Sequence, residues 1–202
     1  MSADQPEPDA PGNKSEDANA QLFGQWSVDD IEYNDPSTER YITVTPIAHT
    51  MGRHADKQFK KSEISIVERL INRLMQTDEN TGKKQMATQI TRDAFERMHS
   101  QTDENPIQIL VRAVENSAPR EETVRLKYGG LSVPKAVDIS PQRRVDQALK
   151  FLAEGVLGDS FKTEADASEA LARQLIGAAN NDVSTYAVNQ KEEKERVAAA
   201  AR

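Results

Sequence analysis

From residue 62 to about residue 175, apolar residues recur three and four apart in one window after another, and a single stretch departs from that period. In SEISIVERLINRLM, Ile64, Val67, Leu70, Ile71 and Leu74 fall on one helical face, with Ser65 and Glu68 at capping-box spacing. GKKQMATQITRDAFERMH repeats the stripe with Met86, Ala87, Ile90, Ala94 and Met98. NPIQILVRAVEN opens with Asn105 as a cap and Pro106 at the first helical position, carries Ile107, Leu110, Val111 and Val114, and stops at Pro119. SPQRRVDQALKFLAEGVL begins with Ser140 and Pro141, and its stripe is Val145, Ala148, Leu149, Leu152 and Val156. Thr163 and Asp166 cap a further helix through Leu171 and Leu175, and a polar, charged helix closes the chain at about 186–202. The exception lies at about 123–139, where Gly129 and Gly130 supply the positive backbone angles of a tight hairpin turn. The expected fold is mainly α: a bundle of about six helices with one protruding β-hairpin. No internal repeat stands out.

The segment before residue 62 reads differently. Residues 1–21 are Pro-, Asp- and Glu-rich with little to bury, which predicts a disordered acidic tail and no secretory signal. Residues 22–50 hold scattered apolar groups (Leu22, Phe23, Trp26, Val28, Ile31) and one alternating run, YITVTPI, that reads as a short edge strand ended by Pro46. They predict an extended arm lying on a helical domain that occupies residues 51–202. No stretch reaches the roughly 20 apolar residues that a membrane span needs. The absence of cysteine removes disulfides, thiolate zinc sites and cysteine nucleophiles, and fits a reducing cytoplasm.

Charge is divided unevenly. The chain carries a formal net charge of −7, but residues 1–39 alone hold ten acids and one base. Residues 40–150 hold 19 bases against 14 acids and form the only basic part. Lys83 and Lys84 start one helix, and Arg143 and Arg144 start another. Cations there oppose the helix dipole by about 0.3–1 kcal/mol each, a cost that a phosphate backbone would relieve. Arg53, Lys57, Lys60 and Lys61 cluster in GRHADKQFKK before the first helix. The hairpin region adds Arg125, Lys127 and Lys135, with Tyr128 beside the turn as a ring for stacking. An isolated two-stranded ribbon is marginal in water, so a projecting one calls for a partner.

Catalytic readings are weak by comparison. His49 and His54 sit in a loop-like region without acids at metal-ligand spacing, and His99 lies near a helix end. NTGKK fails as a phosphate-binding loop, because the upstream glycine position is Thr77 and no strand precedes it. The chain is expected to have no cofactor, no metal and no enzymatic activity. The competing reading is a helical protein-interaction module that binds through its acidic tail.

Several stretches carry a resemblance: GRHADKQFKK, IVERLINRLM, NTGKK, AFERMHSQTDENPIQILVRAVENSAPREETVR, YGG, AVDISPQRRVDQAL, STYA and KEEKERVA. Over about residues 40–202 the chain resembles the small-subunit ribosomal protein seven family in its archaeal and eukaryotic form. The resemblance implies a structural RNA-binding protein that binds the 3′ major domain of small-subunit rRNA and organises the subunit head. It implies a hairpin that reaches toward exit-site tRNA and the messenger RNA path, and a C-terminal end near small-subunit ribosomal protein eleven. By position, Lys60, Lys61, Lys83, Lys84, Arg120, Arg125, Arg143 and Arg144 would face rRNA, and Arg53 and Lys57 extend the same basic group. Lys127, Tyr128, Gly129, Gly130, Pro134 and Lys135 would form the hairpin end near tRNA and mRNA. The sequence departs from the family's lysine-rich run near the C-terminus, where Asn189 and Gln190 leave only Lys191. The acidic tail and low lysine content suggest a halophilic archaeon. In strong salt, charges are screened over a few ångström, so shape fit must carry more of the RNA affinity.

Overall fold

The computed structural model describes residues 21–29, 31–54, 57–76 and 80–202. Residues 1–20, almost all of the expected acidic tail, lie outside the described residues. The six expected helices form α2 (Ile66–Leu74), α3 (Lys84–Thr102), α4 (Pro106–Ser117), α5 (Pro141–Ser160), α6 (Ala167–Ala179) and α7 (Tyr186–Ala199). A one-turn helix, α1 (Pro36–Glu39), and a miniature pair, β1 (Gln21–Leu22) with β2 (Trp26–Ser27), precede them. Between α4 and α5 stands the hairpin of β3 (Glu121–Tyr128) and β4 (Leu131–Asp138). The fold is mainly α with one hairpin.

The bundle is built around α6, which packs against α3, α4 and α5 at once. Its buried face is Ala170, Leu171, Ala172, Leu175 and Ala178, all nearly inaccessible, and the alanines let three neighbours approach closely. Phe95 and Met98 from α3, Leu110 from α4 and Leu149 and Leu152 from α5 fill the remaining space. Each such side chain contributes about 1.5–3 kcal/mol of burial. Close approach is tightest at Gly177, where an added Cβ would run into the methyl group of Thr185. Gly177→Ala would gain about 1 kcal/mol of helix propensity but force a shift costing about 1–3 kcal/mol. We expect a net loss of about 1 kcal/mol, read as a lower urea midpoint in molar KCl. An unchanged or higher midpoint would show that the α6–α7 connection yields freely.

The arm runs from β1 to the loop before α2 and lies along this body. Leu22 and Ile42 are fully buried, and Phe23, Trp26, Tyr33, Tyr41 and Val44 pack against the core. Hydrogen bonds pin it at intervals. The Glu32 N–H donates to Gln108 Oε1 (2.8 Å), and Gln108 Nε2 returns to the Glu32 carbonyl (2.9 Å). Glu115 accepts from the N–H groups of Asn34 and Asp35 at 3.0 and 3.1 Å. Burial outweighs those bonds and pushes the Glu115 carboxyl above the usual range.

Several local expectations change. YITVTPI is not a strand: Thr43 alone forms a bridge, parallel to Ser65, and the Thr43 carbonyl accepts from the Ile66 N–H. The capping box does not form either. The Ser65 hydroxyl donates to the Thr45 carbonyl (3.2 Å), and Glu68 turns to the Thr50 N–H (3.0 Å) and Lys84. Asn105 caps α4 as its position implies, accepting from the Ile107 N–H at 3.0 Å. Asp166 stands at the start of α6 without capping it, its carboxylate taken by Ser168 Oγ and Arg97. Thr163 donates to the Asp159 carbonyl behind it instead of capping. Met86 faces solvent, because the buried line of α3 runs Ala87, Thr91, Ala94, Phe95, Met98. The unexpected α1 follows from Asp35-Pro36-Ser37: Asp35 accepts from the Ser37 N–H (2.9 Å), with Pro36 at the first helical position.

Candidate nucleic-acid interface

The paired cations at the two helix starts separate into one inward and one outward group each. At α3, Lys84 reaches back to the buried Glu68, with Nζ 2.7 Å from Oε1, while Lys83 stays exposed. Burial pushes the Glu68 carboxyl up, but hydrogen bonds from Lys84 and Thr50 outweigh it and hold the group below the usual carboxylate range. At α5, Arg143 is 60 % exposed and lies 2.9 Å from Glu122. Arg144 is buried, with Nη2 2.8 Å from Asp35 and Nη1 2.5 Å from Ser37 Oγ. Sequence position alone puts Arg144 on the RNA face. The structure gives it to the arm, because the first turn of α5 packs under α1.

Asp146, two residues further along α5, takes Lys61 and the buried Arg69, which also donates to the Tyr41 carbonyl at 2.8 Å. Lys60 pairs with Glu63 at 2.6 Å. The remaining expected contacts, Arg53, Lys57, Lys83, Arg120, Arg125, Lys127 and Lys135, are exposed and make no side-chain ion pair among the described residues.

The hairpin has a braced root and a free end. The Ala136 N–H donates to the Ala201 carbonyl (3.2 Å), and the Arg120 N–H donates to Glu195 (2.9 Å). Arg202 pairs with Glu121, and Glu122 accepts from Arg143 and Gln147. The end of α7 and the start of α5 therefore supply the support that a lone ribbon lacks. Beyond the root, Tyr128 pairs with Leu131 across a two-residue loop in which Gly129 and Gly130 have φ of 51° and 90°. Those angles suit a type I′ turn, which side chains with a Cβ adopt at a cost. Arg125 and Lys127 share one face of the ribbon with Ser132 and Pro134. Lys135, opposite Val124, lies on the other face, so cations line both sides. Pro134 is tolerated because β4 is an edge strand.

The histidines have structural occupations. His49 Nδ1 accepts from the Met51 N–H (2.9 Å), His54 stands 3.5 Å from Glu63, and His99 packs edge-on to Trp26. No group of three or more potential ligands is placed to hold a metal among the described residues. No described helix is long and apolar enough to cross a membrane.

With this arrangement in view, comparison with known proteins is decisive: residues 38–202 match the model of ribosomal protein S7p/S5e. The chain belongs to that family. It is 80 % identical over 206 residues to small ribosomal subunit protein uS7 of Haloarcula marismortui, covering all of both chains. It is 72 % identical to the uS7 of Natronomonas pharaonis, again over the full length of both. Against the uS7 of Methanoregula boonei, identity is 52 % with 95 % of each chain covered. As an S7p/S5e protein, the chain is a structural, non-enzymatic constituent of the small ribosomal subunit. The uS7 of Halococcus morrhuae is 74 % identical as well, and this likeness to halophilic relatives is in keeping with the acidic composition. The family match begins at residue 38, yet the arm ahead of it supplies Leu22 to the core and Asp35 to Arg144. Nothing local in the sequence marks Arg69, Asp146 or Glu115 as tethers, since their partners lie 28 to 85 positions away.

Proposed function

We propose that this S7p/S5e protein binds the 3′ major domain of small-subunit rRNA and nucleates assembly of the subunit head. Its hairpin then extends toward exit-site tRNA and the messenger RNA path, and its C-terminal helix lies beside small-subunit ribosomal protein eleven. One observation carries the reading. In an acidic chain, seven exposed cations without an ion pair among the described residues (Arg53, Lys57, Lys83, Arg120, Arg125, Lys127 and Lys135) gather in the loop before α2, at the start of α3 and on or beside the hairpin, while Arg40, Lys162 and Arg196 lie elsewhere. Phosphate oxygens are the partner that such a distribution suits, because each free cation can form a charge-assisted bond without breaking a tether. Arg143 adjoins this surface as an exposed guanidinium already paired with Glu122, and Arg144 is buried against Asp35.

The test uses full-length protein and a transcript of the 3′ major domain in molar KCl, beside an unrelated structured RNA. The double variant Lys57→Glu/Lys83→Glu is expected to bind the transcript on the order of tenfold more weakly. The slope of log affinity against log salt should flatten by about 0.9 for each phosphate no longer neutralised. Its unfolding midpoint should stay within about 0.5 kcal/mol of the parent, since both side chains are exposed. Equal parental affinity for the two RNAs would overturn the proposal.

A further inference from the structure

Among the exposed groups near these cations is an aromatic ring that phosphate binding does not use. An open cleft of ≈ 550 Å³ lies between the loop before α2, α2 itself and the start of α3. Phe59 stands at its edge, 68 % exposed. Its backbone is left-handed, with φ of 63° and ψ of −3°, a conformation that a residue with a Cβ adopts at a cost. The Phe59 carbonyl accepts both the Ser62 N–H (3.3 Å) and the Ser62 hydroxyl (2.9 Å), which locks the turn. The fold thus spends strain to hold an aromatic ring in solvent, although Ile64 and Met75 line the same cleft.

The ring's neighbours define the partner. Lys57 and Lys61 line the cleft with it, Lys60 follows it directly, and Lys84 faces them from α3. Glu68 is the only carboxylate lining the cleft among the described residues, and Lys84 neutralises it at 2.7 Å. An acidic peptide would satisfy the cations but has no need of a flat apolar ring. A nucleotide needs both, because its phosphate takes the ammonium groups and its base takes the ring face. Paired RNA hides its base faces, so the ligand is a base from a bulge or loop.

We infer that the cleft receives one unstacked base of the bound rRNA, with Phe59 against its face and the unpaired Lys57 on the adjoining phosphate. The inference rests on the rRNA reading above. Its test is chosen to separate the two. Phe59→Gly removes the ring and relaxes the backbone, Phe59→Leu keeps apolar bulk without an aromatic face, and Phe59→Trp keeps the face. In molar KCl with the 3′ major domain transcript, Phe59→Gly and Phe59→Leu should each lose on the order of tenfold in affinity, and Phe59→Trp should not. Thermal unfolding should show no loss in any of them. Because Trp26 is the single tryptophan, Trp26→Phe combined with Phe59→Trp leaves one indole, whose fluorescence the transcript should quench. Parental affinity in Phe59→Leu, or an unquenched indole on bound transcript, overturns the stacked base while leaving rRNA binding intact. Failure of the parent to prefer the transcript over an unrelated RNA removes both.

Discussion

Arg144→Ala is expected to cost about 3 kcal/mol of folding stability, far more than its neighbour Arg143→Ala. Arg144 is 8 % exposed and Asp35 22 %, so truncation leaves a carboxylate partly buried without its cation. The effect should reach beyond the pair. Asp35 also starts α1, and the segment it belongs to is held by Glu115 on α4. Loss of the guanidinium therefore loosens both sides of the junction. Burial raises the Asp35 carboxyl, but hydrogen bonds from Ser37 and Arg144 outweigh it and hold the group below the usual range. A group held low stabilises the fold above its unfolded pKa and loses that contribution as pH falls through the folded value. Arg144→Ala should accordingly lose less stability in acid than near neutrality. Urea unfolding at two pH values measures this. In a double-mutant cycle with Asp35→Asn the two losses should fall well short of additive. Full additivity, or a loss under about 1 kcal/mol, would show that the pair is incidental.

Reversal of the hairpin cations is the second large effect. Under the proposed assignment, Arg125→Glu/Lys127→Glu/Lys135→Glu lowers exit-site tRNA retention by reconstituted small subunits roughly tenfold or more. The root remains clamped, because Glu121, Glu122, Arg143 and Arg202 are untouched. Incorporation of the protein into the particle should therefore persist. Cations on both ribbon faces predict a graded response, in which Lys135→Glu alone loses less than Arg125→Glu/Lys127→Glu. Undiminished tRNA retention by the triple variant would remove the hairpin from the tRNA path.

The bundle is legible in the sequence because burial is periodic. Each of α2 to α6 is announced by apolar residues three and four apart, α7 only by a run of charged helix formers, and Gly129-Gly130 announces the hairpin through a backbone requirement that few residues meet. What the pattern leaves out has one physical origin. A stripe records which side of a helix is buried, and it does not say against what. Arg143 and Arg144 look equivalent in sequence, one helical step apart, yet about 100° of rotation sends one to Glu122 at the surface and the other beneath α1. Lys83 and Lys84 divide in the same way. Sequence thus marks both helix starts as doubly basic, and the structure ties one cation of each pair into the fold. Phe59 is in plain view within GRHADKQFKK, but its exposure depends on a left-handed backbone that its residue type does not advertise.

The arm's tethers impose an order of events on the chain as it is made. Glu32 waits for Gln108, Asp35 for Arg144, and Tyr41 for Arg69, with separations of 76, 109 and 28 positions. Synthesis delivers the arm first and its anchorages up to 109 residues later, so Leu22 and Ile42 emerge with nothing to cover them or be covered by them. Contacts of such long range close slowly, because the loop they span must first lose its freedom. The first described stretch of this protein to leave the ribosome is therefore among the last to settle.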